Sequence, residues 1–262
     1  MLDILSSIHV KKCDYKDLQN FIPEYYIKNN IIVDSLWEDH VRVSNFYKIE
    51  DGKNIAGFFA IHKKTELILF HVFEKYRKIS QELFSIIKKF ESVNMASIPT
   101  GDEFFLSHAF DNYTKIEKDA YFSIYTDENP KKILDLELQL ADIVKDREIL
   151  CLCYDFLKEE LENIESTINE EIYIVKHENN IIGFGVIEYQ QIVNIYASTG
   201  MTVRDEYRQR GYGANILYRL RNIVKEKGLI PISGCWYYNH NSKKTMESAG
   251  AYSKTRLLRF HF

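Results

Sequence analysis

The sequence predicts an α/β (α+β) protein of two tandem lobes, each a mixed, mostly antiparallel sheet flanked by helices. Three observations predict it. A weak internal repeat runs through the two halves of the 262-residue chain. Each copy reads strand, strand, strand, helix, strand, helix, strand. A polar segment containing Pro130 separates the copies. Hairpins supply the antiparallel pairings in such an order, and a helical crossover supplies a parallel one.

The first copy opens on a hairpin. Phe46, Tyr47, Lys48 and Ile49 form an apolar strand, Asp51, Gly52 and Lys53 turn the chain, and residues 55–61 return it. A third strand spans 66–73. The pair Tyr76-Arg77 then opens a helix with Ile79, Leu83, Ile86 and Phe90 on one face. The copy closes on a strand at 120–125. This places a first lobe at 1–126, a linker at 127–133 and a second lobe at 134–262. Helical runs at 133–144 and 156–163 begin the second lobe. A second hairpin follows, with strands at 172–175 and 181–187 around the turn 177–180. The next strand spans 194–203. The pair Tyr207-Arg208 then opens a helix with Gly213, Leu217, Leu220 and Val224 on one face. Gly228 and Pro231 stop it. The last strand is 255–262.

Composition excludes several classes. Hydrophobic residues at 45% and charged residues at 27% suit a soluble globular protein. The net charge is −4 and no basic stretch tracks a phosphate backbone, so nucleic acid is not an expected partner. No apolar run has the length of a membrane span, and no charged segment precedes an apolar run at the N-terminus. A cytoplasmic protein without membrane partners is expected. Cys151 and Cys153 are too close for a zinc knuckle and have no second pair; with Cys13 and Cys235 they read as reduced thiols. No metal is expected.

The chemistry concentrates at Arg208, Gln209, Arg210, Gly211, Tyr212 and Gly213, between a strand and an amphipathic helix. Helix-starting amides lack partners and attract anions, so this place suits a pyrophosphate. Glycine admits close approach, and the two arginines add charge. A tight turn with solvated arginines reads equally well from the motif alone. The matching stretch of the first copy, residues 76–81, carries no glycine. One site per chain, in the second lobe, is therefore expected.

Residues 201–213 resemble the acyl-CoA loop of the GNAT N-acetyltransferase superfamily. A second element agrees: Asn239, His240, Asn241 and Ser242, a helix over 243–249, then Gly250-Ala251-Tyr252. Gly234-Cys235-Trp236 is similar to a branch that includes a self-protection acetyltransferase for zwittermicin A. The resemblance covers the second half closely and extends loosely over the first as a degenerate copy. It implies acetyl-CoA as co-substrate. The backbone of Met201, Thr202 and Val203 would bond the pantetheine arm, residues 208–213 the pyrophosphate, and Asn239 and Ser242 would line the far side. Helix capping explains the last two as well. Many superfamily members carry a tyrosine acid where this chain has Met246. Tyr237, Tyr238 and Tyr252 are nearby, in places that suit ordinary packing. Glu188, at a strand end, is the candidate base; Glu206 reads as a solvated charge. The implied reaction is acetyl transfer to a primary amine of a small molecule. The alternatives are acetylation of a protein amine and a non-catalytic acyl-CoA sensor.

Overall fold

The computed structural model describes residues 5–90, 92–153, 155–162 and 169–262. They form two compact units, one running to Ala120 with Thr255–Phe262 added, the other Tyr121–Lys254. Among the described residues no helix is long and apolar enough to cross a membrane.

The first unit holds β1 (Ile8–Cys13), α1 (Phe21–Lys28), α2 (Ser35–Arg42), β2 (Asn45–Asp51), β3 (Asn54–His62), β4 (Glu66–Val72), α3 (Ser80–Lys88), β5 (Met95–Pro99) and α4 (Glu103–Phe110). β1 to β4 are antiparallel neighbours in sequence order, and β4 pairs β5 in parallel. The last strand of the chain, β12 (Ala251–His261), lays Leu257–His261 antiparallel on β5. Of the expected face of α3, Ile79, Leu83 and Phe90 pack in the core and Ile86 does not. Ile79 ends a 3-10 turn ahead of the helix, and Ile86 is 42% exposed. Within the helix the buried stripe is Ser80, Leu83, Phe84 and Ile87, at i, i+3, i+4 and i+7, which leaves Ile86 off that face. β12 begins earlier than expected, at Ala251, and β6 (Lys115–Tyr125) begins earlier too, at polar residues. Those polar residues are paired: Arg259 lies 2.6 Å from Asp119 and His261 2.6 Å from Glu117.

A buried polar group sits inside this unit. The Tyr25 hydroxyl donates to the Asp102 carboxylate, which also accepts the Phe105 N–H at 3.2 Å and so caps α4. The Tyr25 ring packs on His71, with centroids 4.8 Å apart. Burial pushes the Asp102 carboxyl up to about 7 and the His71 imidazole down to about 4.

The second unit continues from the end of β6 through β7 (Glu137–Leu140), α5 (Arg147–Leu150), α6 (Lys158–Glu162), β8 (Glu170–His177), β9 (Asn180–Tyr189), β10 (Tyr196–Val203), α7 (Tyr212–Glu226), β11 (Ile230–Trp236) and α8 (His240–Ser248). Its strand order is β6-β11-β10-β9-β8-β7. β7 to β10 are antiparallel, and β10 and β11 are parallel. Glu178 and Asn179 turn the β8–β9 hairpin with φ of 49° and 64°, the left-handed pair that matches strand twist. Alternate residues of these strands serve two cores. Tyr173, Val175 and Ile187 pack with Ile216 and Leu220 of α7; Ile172, Ile174, Phe184 and Val186 pack with Leu150, Leu157 and Leu161. Burial on both faces explains their nearly continuous apolar runs.

The expected helix at 133–144 is instead largely extended, and its 137–140 portion is strand β7. Leu134, Leu136, Leu138 and Leu140 recur every second residue. Leu136 is buried and Leu134 and Leu138 pack beside it, so the period is that of a strand. The expected helix at 156–163 is observed as α6; position 163 lies outside the described residues.

The segment read as a linker lies against α7. Buried Arg221 donates to the carbonyls of Thr126 (3.0 Å), Glu128 (2.7 Å) and Ala249 (3.3 Å) and to Asn129 Oδ1 (3.2 Å). Gly250, at φ +87°, is required where this segment passes: a Cβ there would stand 2.3 Å from the Glu128 carbonyl. Arg221→Met would strand those carbonyls in the interior. We expect a loss of about 3 kcal/mol in urea unfolding.

A pH test addresses the first unit. An acid whose pKa rises on folding binds its proton more tightly in the folded state. Its contribution to stability therefore falls as pH rises from about 4 to about 7 and is level above that. The unfolding midpoint of the wild type relative to Asp102→Asn should fall over that window. The opposite slope from His71 is common to both proteins and cancels in the difference.

Candidate active site

β10 leads through a 3-10 turn at Asp205–Tyr207 into the loop ahead of α7. The loop is braced from its own side chains. Arg204 donates to the Ile181 carbonyl at 3.0 Å and pairs with Glu206 at 2.6 Å. Arg208 Nε donates to the Val203 carbonyl at 3.0 Å, and its guanidinium pairs with Asp205 at 2.9 Å. Gln209 has φ of 61° and Gly211 has φ of 83°. Gly211 is the N-cap of α7, and nothing lies within 4 Å of where its Cβ would be. The glycine is needed for its backbone conformation and leaves open space before the helix start. Gly213 has the other reason. A Cβ there would stand 3.0 Å from Thr245 and 3.1 Å from the Met201 sulfur, so α7 lies close to both α8 and β10.

Asn215 fastens the first turn of α7. Its amide nitrogen donates to the Lys132 carbonyl at 3.1 Å and to the Gly211 carbonyl at 3.0 Å, and its oxygen accepts the Leu134 N–H at 2.8 Å.

In front of this turn is a cleft of about 620 Å³. Met201, Thr202 and Val203 of β10 form one wall. Arg208, Gln209, Gly211, Tyr212 and Gly213 form the floor at the loop. Asn239 and Ser242 stand on the α8 side with Asn241, Lys244, Thr245 and Ser248. The Asn239 carbonyl oxygen of the side chain accepts the Ser242 N–H at 3.1 Å, so Asn239 caps α8 and also lines the cleft. Arg210 is outside the lining, with its guanidinium 5.9 Å from the Tyr207 ring centroid. Glu188 is outside it too. It stands on β9 opposite Glu170 and Ser198, at the parity of Phe184 and Val186, and so faces the α5–α6 side of the sheet. Tyr237 stacks on Tyr121 at 4.6 Å, and Tyr238 and Tyr252 are exposed at the surface.

β10 and β11 pair at Tyr196–Ser198 and Ile230–Ile232; past that point Met201–Val203 of β10 line the cleft, and no residue of β11 does. Three hydroxyls gather where the pairing ends. Thr199 Oγ1 and Ser233 Oγ are 2.7 Å apart, and the Tyr125 hydroxyl lies 3.1 Å from the first and 2.8 Å from the second. Burial raises the Tyr125 phenol above its ordinary value. Sequence reasoning missed this group, because its members come from three separate strands. It also missed the α8 wall, where a signal existed: Asn241, Lys244, Thr245 and Ser248 form a polar stripe at helical spacing.

The matching turn of the first unit is filled by side chains. Tyr76 is buried with its hydroxyl 3.0 Å from Asp51, and the Ser80 hydroxyl is 2.8 Å from His108 Nε2.

Residues 14–126 match an acetyltransferase (GNAT) domain, and residues 138–251 match the acetyltransferase (GNAT) family. The chain belongs to the GNAT superfamily. It is an N-acetyltransferase of that type, built as two GNAT domains in tandem. A GNAT-family acetyltransferase from Colwellia psychrerythraea superposes with a TM-score of 0.85 at 20% identity, over 97% of this chain and 99% of its own. A tandem GNAT protein from the clavulanic acid biosynthesis pathway gives 0.60 at 10% identity, over 97% of each chain. A GCN5-related N-acetyltransferase from Sphaerobacter thermophilus gives 0.59 at 10% identity, over 98% and 95%. At these identities the likeness concerns the fold. No curated protein matches the sequence. GNAT acetyltransferases draw on acetyl-CoA, and the residues here fit it: a helix start with an open glycine, beside a cleft carrying the cations Arg208 and Lys244.

Gly211→Val should fold and lose CoA. Forcing a branched residue into the left-handed region costs about 1–2 kcal/mol, and distortion of that size weakens binding by about tenfold or more. Calorimetric titration with CoA, beside a melting curve, reads both effects.

Proposed function

We propose that the second unit transfers an acetyl group from acetyl-CoA to a primary amine of a small molecule, by direct attack of the amine on the thioester. The observation that carries this reading is the cleft between the end of β10 and α8, with the glycine-started helix α7 at its floor. In this reading the backbone of Met201, Thr202 and Val203 holds the pantetheine arm. The loop from Arg208 to Gly213 holds the pyrophosphate, with Arg210 supplying charge from outside the lining. Arg208 has donors to spare, since one pairing with Val203 and one with Asp205 leave part of its five N–H groups. Asn239 and Ser242 bound the arm from α8, and Lys244 offers a further cation.

Holding donor and amine together supplies much of the acceleration. The amine must shed a proton, and Glu188 is placed as its acceptor. It faces the side of the sheet away from α7, so the amine would approach from the α5–α6 side while the CoA arm lies toward α7 and α8. The resemblance of the Gly234-Cys235-Trp236 element to the zwittermicin A self-protection branch supports a small soluble acceptor. In this reading the reaction runs in the cytoplasm, which the absence of a membrane-crossing helix among the described residues is compatible with.

A second reading is a non-catalytic acyl-CoA sensor. Met246 favours it: the side chain is buried beside the cleft and has no proton to give. Turnover separates the two. Acetyl-CoA with a panel of small amines should release free thiol. Bound CoA with no thiol release for any acceptor would sink the transfer reading. Glu188→Gln should cut kcat by about 10²-fold while leaving the Kd for acetyl-CoA unchanged.

A further inference from the structure

We infer that Tyr125 is the proton donor to the departing CoA sulfur, acting from the fork between β10 and β11. The inference rests on the transferase reading and adds a residue from outside both sequence elements that carry it.

Position comes first. β10 and β11 separate after Ser198 and Ile232, and the Tyr125 hydroxyl is held just past that point by Thr199 and Ser233. Thr199 shares the parity of Met201 on β10, so both face α7 and α8. Met201 lines the cleft, and Tyr125 packs with it against the cluster of Ala214, Leu217 and Met246. From Val203, beside the phosphate loop, to Thr199 is four residues of strand, or about 13 Å. An extended pantetheine arm covers a similar span. An arm that starts at Gly211 and runs along β10 therefore ends with its sulfur at the fork.

Chemistry comes second. Ser233 Oγ donates to the Thr199 carbonyl at 2.7 Å, and Thr199 Oγ1 donates to the Ile232 carbonyl at 3.2 Å. With their own protons directed there, both hydroxyl oxygens can accept, and the phenol proton has a place in the resting state. Burial keeps the phenol protonated at neutral pH. When that proton leaves, Ser233 and Thr199 can rotate and donate to the phenolate oxygen instead. The trio thus supports both states of Tyr125. The other phenols near the C-terminal elements are occupied differently: Tyr237 is stacked on Tyr121, and Tyr238 and Tyr252 face the surface.

The step balances. The amine nitrogen bonds to the carbonyl carbon, and the carbon–sulfur bond breaks with its electron pair on sulfur. The Tyr125 proton moves to that sulfur and yields the thiol. The proton lost by the nitrogen restores the phenol through solvent. A free thiol has a pKa of about 8.5, so the donor accelerates the step without being indispensable.

Tyr125→Phe tests this in two ways. The first needs no turnover: affinities for CoA and desulfo-CoA are compared by calorimetry. Wild type should prefer CoA by about tenfold, as one hydrogen bond to sulfur would give, and the variant should bind the two alike. Its retained affinity for desulfo-CoA shows that it is folded. Equal binding of both ligands by wild type, or an undiminished preference in the variant, overturns the inference. The second is kinetic. The kcat of the variant should fall by about 10²-fold at unchanged KM for acetyl-CoA, and Ser233→Ala, which keeps the phenol, should fall less. An unchanged kcat in Tyr125→Phe overturns it as well. Failure of wild type to release thiol would count against the transferase reading, while the desulfo-CoA comparison would still decide whether Tyr125 reaches the sulfur.

Discussion

The parting of β10 and β11 is the constraint on which the second unit depends. Two parallel strands that pair for three residues and then diverge leave backbone groups unpaired on both edges. Buried backbone groups without partners are costly, so a fork needs something to satisfy it. At its apex this chain uses side-chain hydroxyls: Ser233 donates to the Thr199 carbonyl and Thr199 to the Ile232 carbonyl. Beyond the apex β10 borders an open cleft at Met201–Val203, where a ligand with amide groups can pair with its backbone.

The fork is useful because α7 starts beside it, and that start is fixed by buried polar contacts. Asn215 ties the first turn to residues 132 and 134, and Arg221 ties the middle of the helix to residues 126–129 and to the end of α8. Such contacts add less net stability than apolar packing, yet they allow one placement, because each donor must meet its acceptor. Gly213 then lets α7 lie against Thr245 and Met201. The helix start, the β10 wall and the α8 wall are held in register by these few residues.

The two units share a plan and differ at the site. Both have a parallel strand pair with a helical crossover, β4–β5 in one and β10–β11 in the other. In the first unit the turn before the helix is closed by Tyr76 on Asp51 and Ser80 on His108. In the second the corresponding turn has Gly211 with open space before it. One fold can therefore fill the space before this helix or leave it open according to two or three residues at the helix start.

The hairpins, and the glycine turn before α7 that the first copy lacks, were legible in the sequence, because each is local: a turn dipeptide, a glycine, a spacing along one segment. The leucine alternation at 134–140 was equally local, but a short apolar run fits a helix or a strand, and only pairing with β8 decides between them. Arg210 and Glu188 show the same limit from another side. Adjacency in a motif did not bring Arg210 into the cleft, and strand parity set Glu188 on the face away from α7. Tyr125, Thr199 and Ser233 lie 34 to 108 residues apart along the chain. No periodicity links them, and the sheet alone brings them together. The sequence by itself determined the local chemistry that the loop offers to a ligand, a left-handed glycine at a helix start between arginine and tyrosine, since backbone conformation and charge are written locally. The tertiary structure decided which side chains stand where that ligand's reactive end would lie, since that depends on how distant strands align.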